Sequence, residues 1–584
     1  MSRPDRAAKL QLRKVQRETV VKAYLKGLLN GDKAETLKAV NKRVFECSQK
    51  TQNASVALNL LIRKTFQDVE DVSIVDLPEF WDQTFVRQLL LGTDSAKKPH
   101  EEIERLFNEY PVLKPSLDRS IDDKNIYTFA AIKLGTNIKN HLVLNLEPFI
   151  KKFAYKVHSQ EEGKEIQRRL FGWKVVENTL SPKGEETLAM IRKILGVQTV
   201  GKEFLKSKKS PSLIIKLFVQ FNRILEHLET QEDIKLFNIL PICKIKRHFI
   251  TIDTVGMIGI MKEIKAIGKN QKNFLDTELW ESFIDVSKLK TKAKTFTRTI
   301  DTDGIAINVH FTCPIKTISG TEEKAKIDLA GKRVIGVDPG RTNIFYMVEE
   351  VEKDKFKKFR LTRKQYYVES GITAAKKNTE VWNLKVKEDL EKLSLASPKS
   401  ISLENFNMYL DTMLSVKETL WTEYFDTKWA DQRLRLYGGK KKVFSKFLNR
   451  LGDNVVLAYG TAKFAPGGKG ELTVPVSRGF KECASRFKVV PVDEFRTTKL
   501  YHKDLSVLNK VATFKEEKIT DVRGLSWFST NNNDKPSLSY CVNRDLNAAI
   551  NILRCATLPK RPLELSRRPG LEKIVQKVGK IIKC

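Results

Sequence analysis

The chain has 584 residues, 41% of them hydrophobic, with 105 Lys+Arg against 71 Asp+Glu and a formal net charge of +34. That length holds three or four modules with real cores, and so large a basic surplus points to a polyanionic partner and away from a small-metabolite enzyme. Seven scattered cysteines without a CxxC pair argue for a reducing compartment and against a four-cysteine zinc site; no stretch supplies the ~20 apolar residues of a membrane helix or the apolar core of a secretory signal.

Residues 1–40 are a basic leading segment, and 41–240 read as helical. Apolar stripes such as Ala57–Ile62 and Leu213–Val219 run between Lys and Arg. Basic patches with aromatics interrupt them at Arg168, Arg169, Phe171 and Trp173, then at Lys202, Lys206, Lys208 and Lys209. From 241 to 330 the pattern changes to short β-branched runs, HFITIDTV (248–255) and TFTRTIDTDGIAINVHFTCP (295–314). Asp303-Gly304 is a hairpin turn between two strands of the second run, so this stretch is a small β module.

At 331 the chain enters VIGVDPGRTNIF (334–345), an apolar strand that delivers Asp338 and turns at once through Pro339-Gly340. A second strand begins at Ile344. KDKFKKFRLTRKQYY (353–367) interleaves Lys357, Lys358, Arg360, Arg363 and Lys364 with Phe and Tyr, a mixture suited to phosphates and stacked bases. Residues 370–450 are a polar helical insertion that ends in a basic run with Lys440, Lys441 and Lys442. Strands follow at NVVLAYG (454–460) and FKVVPVDE (487–494). VNRDLNAAINILRC (542–555) is a helix opened by Asp545, with Leu546, Ala549, Ile550 and Leu553 on one face. The tail, 556–584, is basic, and Pro559-Lys560-Arg561-Pro562 has the composition of a nuclear-import signal.

A strand-end acid and a helix-start acid can converge, and hard cations such as Mg²⁺ take such oxygen ligands. The strand meander, later strands and acid-capped helix match the RNase H-like fold, in which two metals act on phosphodiesters and a third acid is needed. Glu404 reads as an ordinary first-turn helix acid after capping serines. Glu494, at a strand end and followed by FRTTK with Arg496 and Lys499, is the better choice. Asp493 is its rival, because alternation sends the two side chains to opposite faces and the sequence does not say which faces inward. Arg341 and Arg544, beside the first and last acids, complete the basic candidates for nucleic-acid contact.

These residues resemble the Fanzor proteins, eukaryotic relatives of the TnpB nucleases and of type V CRISPR effectors. The resemblance is carried in order by GVDPGRTN, RLTRKQYYVESG, Trp382, AYGTAKF, VDEFRTTK and NRDLNAAINIL, with weaker similarity at NHLVLNLEPFIKKF (140–153). It implies a multidomain α+β protein: a helical recognition lobe, a small β-barrel-like wedge module that the N-terminal segment joins, and an RNase H-like (RuvC) nuclease domain over 331–555. It implies a nuclear, RNA-guided DNA endonuclease, acting as a monomeric protein on double-stranded DNA with a guide RNA. The catalytic and Mg²⁺-holding set is then Asp338, Glu494 and Asp545, with two ions. In TnpB-like enzymes a glutamate ends the middle strand; here Gly460 stands there, and Fanzors use the glutamate that matches Glu494. The family's zinc ribbon is degenerate here, over 498–541, with Tyr501 and His502 at cysteine positions and Cys541 alone remaining. No structural zinc is expected; packing of Leu525, Trp527 and Phe528 is expected instead. The alternative is an RNA-guided binder with weak or no cleavage. A sugar kinase or heat-shock ATPase fails for want of a second glycine-rich loop, and a DDE transposase would not need the VDEFRTTK and NRDLNAAINIL pair.

Overall fold

The computed structural model describes residues 16–93, 98–115, 123–172, 180–228, 235–268, 275–289, 294–314, 331–461, 467, 472–515, 518–530 and 538–567. Trp173 and the tail beyond 567 lie outside them. The protein is multidomain α+β, and it divides into two compact units, residues 1–317 with 380–434 and residues 318–379 with 435–584. The helical insertion is thus divided, with 380–434 belonging to the first unit.

In the first unit the Lys33–Phe66 helix starts where Asp32 accepts from the amides of Ala34 and Glu35. It packs with the Lys124–Val157 and Ser210–Leu228 helices and with Phe406, Tyr409, Leu410 and Met413 of the Leu403–Tyr424 helix in one large core. Phe153 and Phe221 stack in it, 4.0 Å between ring centres. Arg63 lies inside this core, 1% exposed, over the Phe406 ring at 4.0 Å. It donates to the carbonyls of Ser400 (2.8 Å), Pro398 (2.7 Å) and Asn59 (2.6 Å), and burial pulls its pKa down to about 9, so it stays charged at neutral pH. Arg63→Met should keep the volume but leave those carbonyls without a donor. The expected loss is about 3 kcal/mol, read as a lower denaturant midpoint for the unit's unfolding.

The β module of this unit is a four-stranded antiparallel sheet of β1 (Gln16–Tyr24), β2 (Ile250–Ile252), β3 (Thr295–Thr302) and β4 (Ala306–Pro314), in the order β1-β4-β3-β2. Gly304, at φ +84°, makes the turn between β3 and β4. Among the described residues β1 does not meet β2, so the module is an open sheet where a barrel-like one was expected. Its inner side is filled by Ile300, Val309 and Phe311 with Met257, Trp280 and Phe283.

The second unit is built on a five-stranded sheet of β5 (Arg333–Asp338), β6 (Asn343–Glu352), β7 (Lys355–Thr362), β8 (Val455–Gly460) and β9 (Lys488–Val492). Its order is β7-β6-β5-β8-β9: the first three form an antiparallel meander, while β8 and β9 run parallel to β5. The central strands are apolar on both sides because both faces are covered. One face packs on Val443, Phe444, Phe447 and Leu448 of the Thr427–Leu448 helix, the other on Ala549, Ile550, Ile552 and Leu553 of the Arg544–Thr557 helix. Gly336 lets the second helix lie directly on β5: a Cβ there would meet Leu553 Cβ at 2.8 Å and its amide nitrogen at 3.0 Å, and would also meet the Ala549 carbonyl.

A separate antiparallel meander, β10 (Asn509–Lys515), β11 (Lys518–Thr530) and β12 (Leu538–Asn543), leads into that helix. Phe528 is buried between Tyr501 (ring centres 4.3 Å apart) and Tyr540 (5.6 Å), so a tyrosine at one of the cysteine positions supplies packing. Trp527 donates its indole N–H to the Lys510 carbonyl at 3.1 Å. Leu525 is 40% exposed and does not join the stack, which corrects the expectation for that residue: it sits on the outer side of the strand, opposite in alternation to Phe528.

Candidate active site

Strand alternation decides where each acid faces. Gly336 touches the Arg544–Thr557 helix, so Asp338, two residues on at the end of β5, lies on that same side of the sheet. Tyr346, its register partner on β6, packs there with Ala549, Ile550 and Leu553. On β8, Ala458 packs with Ile552, so Gly460 shares the face as well. The helix is capped by Asn543, whose side chain accepts from the Leu546 amide at 2.9 Å, and this puts Asp545 in the first turn, where the helix dipole favours a carboxylate.

Glu494 follows β9 by two residues, and its side chain occupies the space a Cβ at position 460 would need: that Cβ would stand 2.7 Å from the carboxyl carbon and 2.8 Å from Cγ. The glycine on one strand makes room for the glutamate after the next. The turn carrying Glu494 is held to the helix by two amides. Asn547 donates to the carbonyls of Thr497 (3.1 Å) and Leu500 (2.7 Å), and Asn551 donates to the same two at 2.8 Å each.

Asp338 is 7% exposed. Burial first, then the charges of Asp545 and Glu494, raise its pKa well above the carboxylate range, and Arg544 opposes them. The three acids therefore share one electrostatic field. Asp545 accepts from the Asn343 amide at 2.7 Å and lies 3.6 Å from Arg544 Nε. Asn343 is a contact that sequence reasoning missed; its only signal is a buried polar residue opening an apolar strand. Among the described residues no group of three or more His, Cys, Asp or Glu side chains is arranged so that it could hold a metal ion.

The rival acids are placed elsewhere. Asp493 is engaged by Arg567 at 2.8 Å, and its carbonyl accepts from Arg561 at 2.6 Å. Glu404 is a first-turn acid of the Ser402-capped helix in the other unit. Since Arg561 also donates to the Leu565 carbonyl, the PKRP segment is folded onto the protein at that residue.

The basic candidates separate by register. Arg360 pairs with Tyr346 and Lys358 with Val348, so both exposed cations stand on the acid-bearing side, beside Arg544 at the helix start. Arg341 lies in the turn after Asp338, and Arg363 donates its amide to Thr342 of that turn at 2.9 Å, with exposed Lys364 next to it. Lys499 is exposed in the turn after Glu494, while the Arg496 guanidinium reaches the Glu564 carbonyl at 3.5 Å. Lys357 alternates to the other side with Phe359, 5.3 Å above its ring. Lys440, Lys441 and Lys442 belong to the helix that covers that other side.

No family model matches the chain. No curated protein is similar enough to match either. Among solved structures, a chain of a cryo-EM structure of a Cas12i-crRNA-dsDNA complex in the I1 state aligns over 97% of this chain and 93% of its own. Its identity is 11% and the TM-score 0.20, a likeness too weak to bear on fold or role.

Proposed function

We propose that this chain is an RNA-guided DNA endonuclease of the Fanzor type, in which an RNase H-like (RuvC) domain hydrolyses DNA paired to a guide RNA. The observation that carries the reading is the convergence of Asp338, Asp545 and Glu494 on one side of the sheet, with Asp338 hard to ionise beside the other two. An antiparallel meander continued by two parallel strands, with an acid-bearing helix across it, is what an RNase H-like domain would have and supports the reading. The +34 charge supports a nucleic-acid partner.

The donor set fits Mg²⁺ by its chemistry: three hard carboxylates whose mutual repulsion a divalent cation relieves. Asp338, Glu494 and Asp545 would hold the ions, and Asn343 and Arg544 would yield part of their present hold on Asp545. A divalent cation supplies Lewis acidity toward a phosphoryl oxygen and a lower pKa for water. The chain's own residues do the rest. Lys358 and Arg360 bind phosphates beside the acids, Arg544 offsets their charge, and Asn343 orients Asp545. The helical part of the first unit serves as the recognition lobe and its β sheet as the wedge that grips guide and duplex. The protein acts as a monomer in the nucleus.

Purification from cells expressing the native locus, a high-salt wash and sequencing of the retained RNA test the guided class. A discrete transcript from flanking DNA is expected, with Mg²⁺-dependent cutting of matched duplex that chelation stops; a random smear returns the protein to an unguided RNase H-like enzyme. A second reading, guided binding without cleavage, rests on the degenerate ribbon segment 498–541, where Tyr501 and His502 stand at cysteine positions and Cys541 alone remains. Matched targets bound but never cut would establish it.

Gly460→Ala bears on the same site. The three atoms nearest the added Cβ all belong to the Glu494 side chain, so that side chain is displaced first, and cleavage should fall about a hundredfold with the unfolding midpoint far less affected. Cleavage at the parental rate would show that Glu494 is not needed where it stands.

A further inference from the structure

In the first unit a cavity of about 640 Å³ opens between the Lys33–Phe66 and Leu403–Tyr424 helices and the segment 238–246. Met413 and Leu420 are among its apolar lining, and Tyr424 and Trp429 among its aromatic lining. These two rings sit 5.1 Å apart, and Trp382 abuts Trp429 at 4.9 Å, which fixes them. The Tyr424 hydroxyl donates to Asn383 at 3.0 Å and the Trp429 indole to Glu423 at 3.1 Å, so what they still offer is ring surface.

Gln52 forms part of the wall and is 1% exposed. Its Oε1 is closed off from solvent and has no hydrogen-bond partner among the described residues, and its amide nitrogen donates to the Met413 sulfur at 3.5 Å. A buried amide so poorly satisfied calls for a partner from the cavity side. Lys244, Lys246 and Arg433 stand around the same cavity. The two lysines make no ion pair among the described residues, and Arg433 meets Asp303 only at 3.4 Å. Burial first, then Arg433 and Lys244, lower the pKa of Lys246, and Asp303 offsets them only in part.

A mainly apolar recess with an unsatisfied amide in its wall and a rim of cations has the chemistry of one nucleotide. We propose that this cavity takes a single unpaired adenosine nucleotide of RNA, its base against Trp429, Tyr424 and Gln52 and its phosphate at Lys244, Lys246 and Arg433. Adenine suits one amide because its amino group and adjacent ring nitrogen match the acceptor and donor of glutamine. The proposal deepens the reading above and rests on its RNA-binding part, independently of cleavage.

The test uses the full-length protein with fluorescent oligoadenylate and oligouridylate of equal length, read by anisotropy. Oligoadenylate should bind about tenfold tighter. Gln52→Leu should erase that preference, and Lys246→Glu should weaken oligoadenylate more than the same change at exposed Lys208. Equal losses at Lys246 and Lys208, or displacement of oligoadenylate by oligoglutamate as effectively as by unlabelled oligoadenylate, would overturn the proposal in favour of bare surface charge or an acidic peptide. Should Gln52→Leu fail to fold, an azidoadenosine-bearing oligonucleotide decides the matter: crosslinks within 238–246 and 424–433 support the site, and crosslinks confined elsewhere overturn it. Lost cleavage with the adenine preference intact would sink the nuclease reading and leave this one standing, and the reverse pattern would do the opposite.

Discussion

Asp338→Ala should lower DNA cleavage by about a thousandfold or more while leaving guide and target binding nearly unchanged. The two halves of that result have separate causes. Asp338 is 7% exposed at the end of β5, so it offers little surface to a long polyanion, and its loss removes a negative charge that such a ligand would rather avoid. In the proposed function it completes a set with Asp545 and Glu494, whose charges it already feels. Stability should not suffer either: a buried carboxyl opposed by two like charges is a cost to the fold, and alanine lifts it. A variant more heat-resistant than the parent and dead in cleavage is the expected phenotype. Surviving cleavage would mean that the acids named here are not the reacting centre.

Gly336→Ala should be nearly as damaging by a different route. A methyl group at this position meets the Leu553 amide, Leu553 Cβ and the Ala549 carbonyl, which are mostly backbone and cannot swing aside. The helix must lift from β5, at an overpacking cost of about 1–3 kcal/mol. Because Asp545 rides on that helix and Asp338 on that strand, a lift of about 1 Å also separates the acids and should cost cleavage about a hundredfold. Circular dichroism melts and cleavage of a matched target report the two effects. Ala549→Gly changes the same contact without crowding and should leave cleavage far less affected; equal damage from both would rule out crowding as the cause.

Two of the three acids were legible because local pattern is enough for them. An apolar run broken by Pro339-Gly340 marks Asp338, and the helical spacing of Leu546, Ala549, Ile550 and Leu553 marks the helix that Asp545 opens. Glu494 and Asp493 could not be separated from the residues alone, since their choice depends on which side of β9 faces the helix. In the structure the Glu494 side chain lies against Gly460 and the Asp493 carboxylate against Arg567. The basic residues were legible as a class and not as individuals: KDKFKKFR shows its charge, but register decides that Arg360 and Lys358 stand with the acids and Lys357 does not. The β module was visible as strands, while the pairing of β1 with β4, across most of the first unit's sequence, has no local signal. The expected role of Leu525 failed for a related reason, because a hydrophobic residue on a short strand does not announce which side is covered.

The paired asparagines set how this part of the molecule opens. Asn547 and Asn551 each donate to both the Thr497 and Leu500 carbonyls, and the Asn547 side chain also accepts from the His502 amide at 2.8 Å. The turn cannot swing out without stranding two buried amides, and the helix cannot leave without freeing the turn. In hydrogen exchange the amides of 497–502 and those of the helix core should therefore become labelled together, as one cooperative unit, although they are some fifty residues apart in sequence.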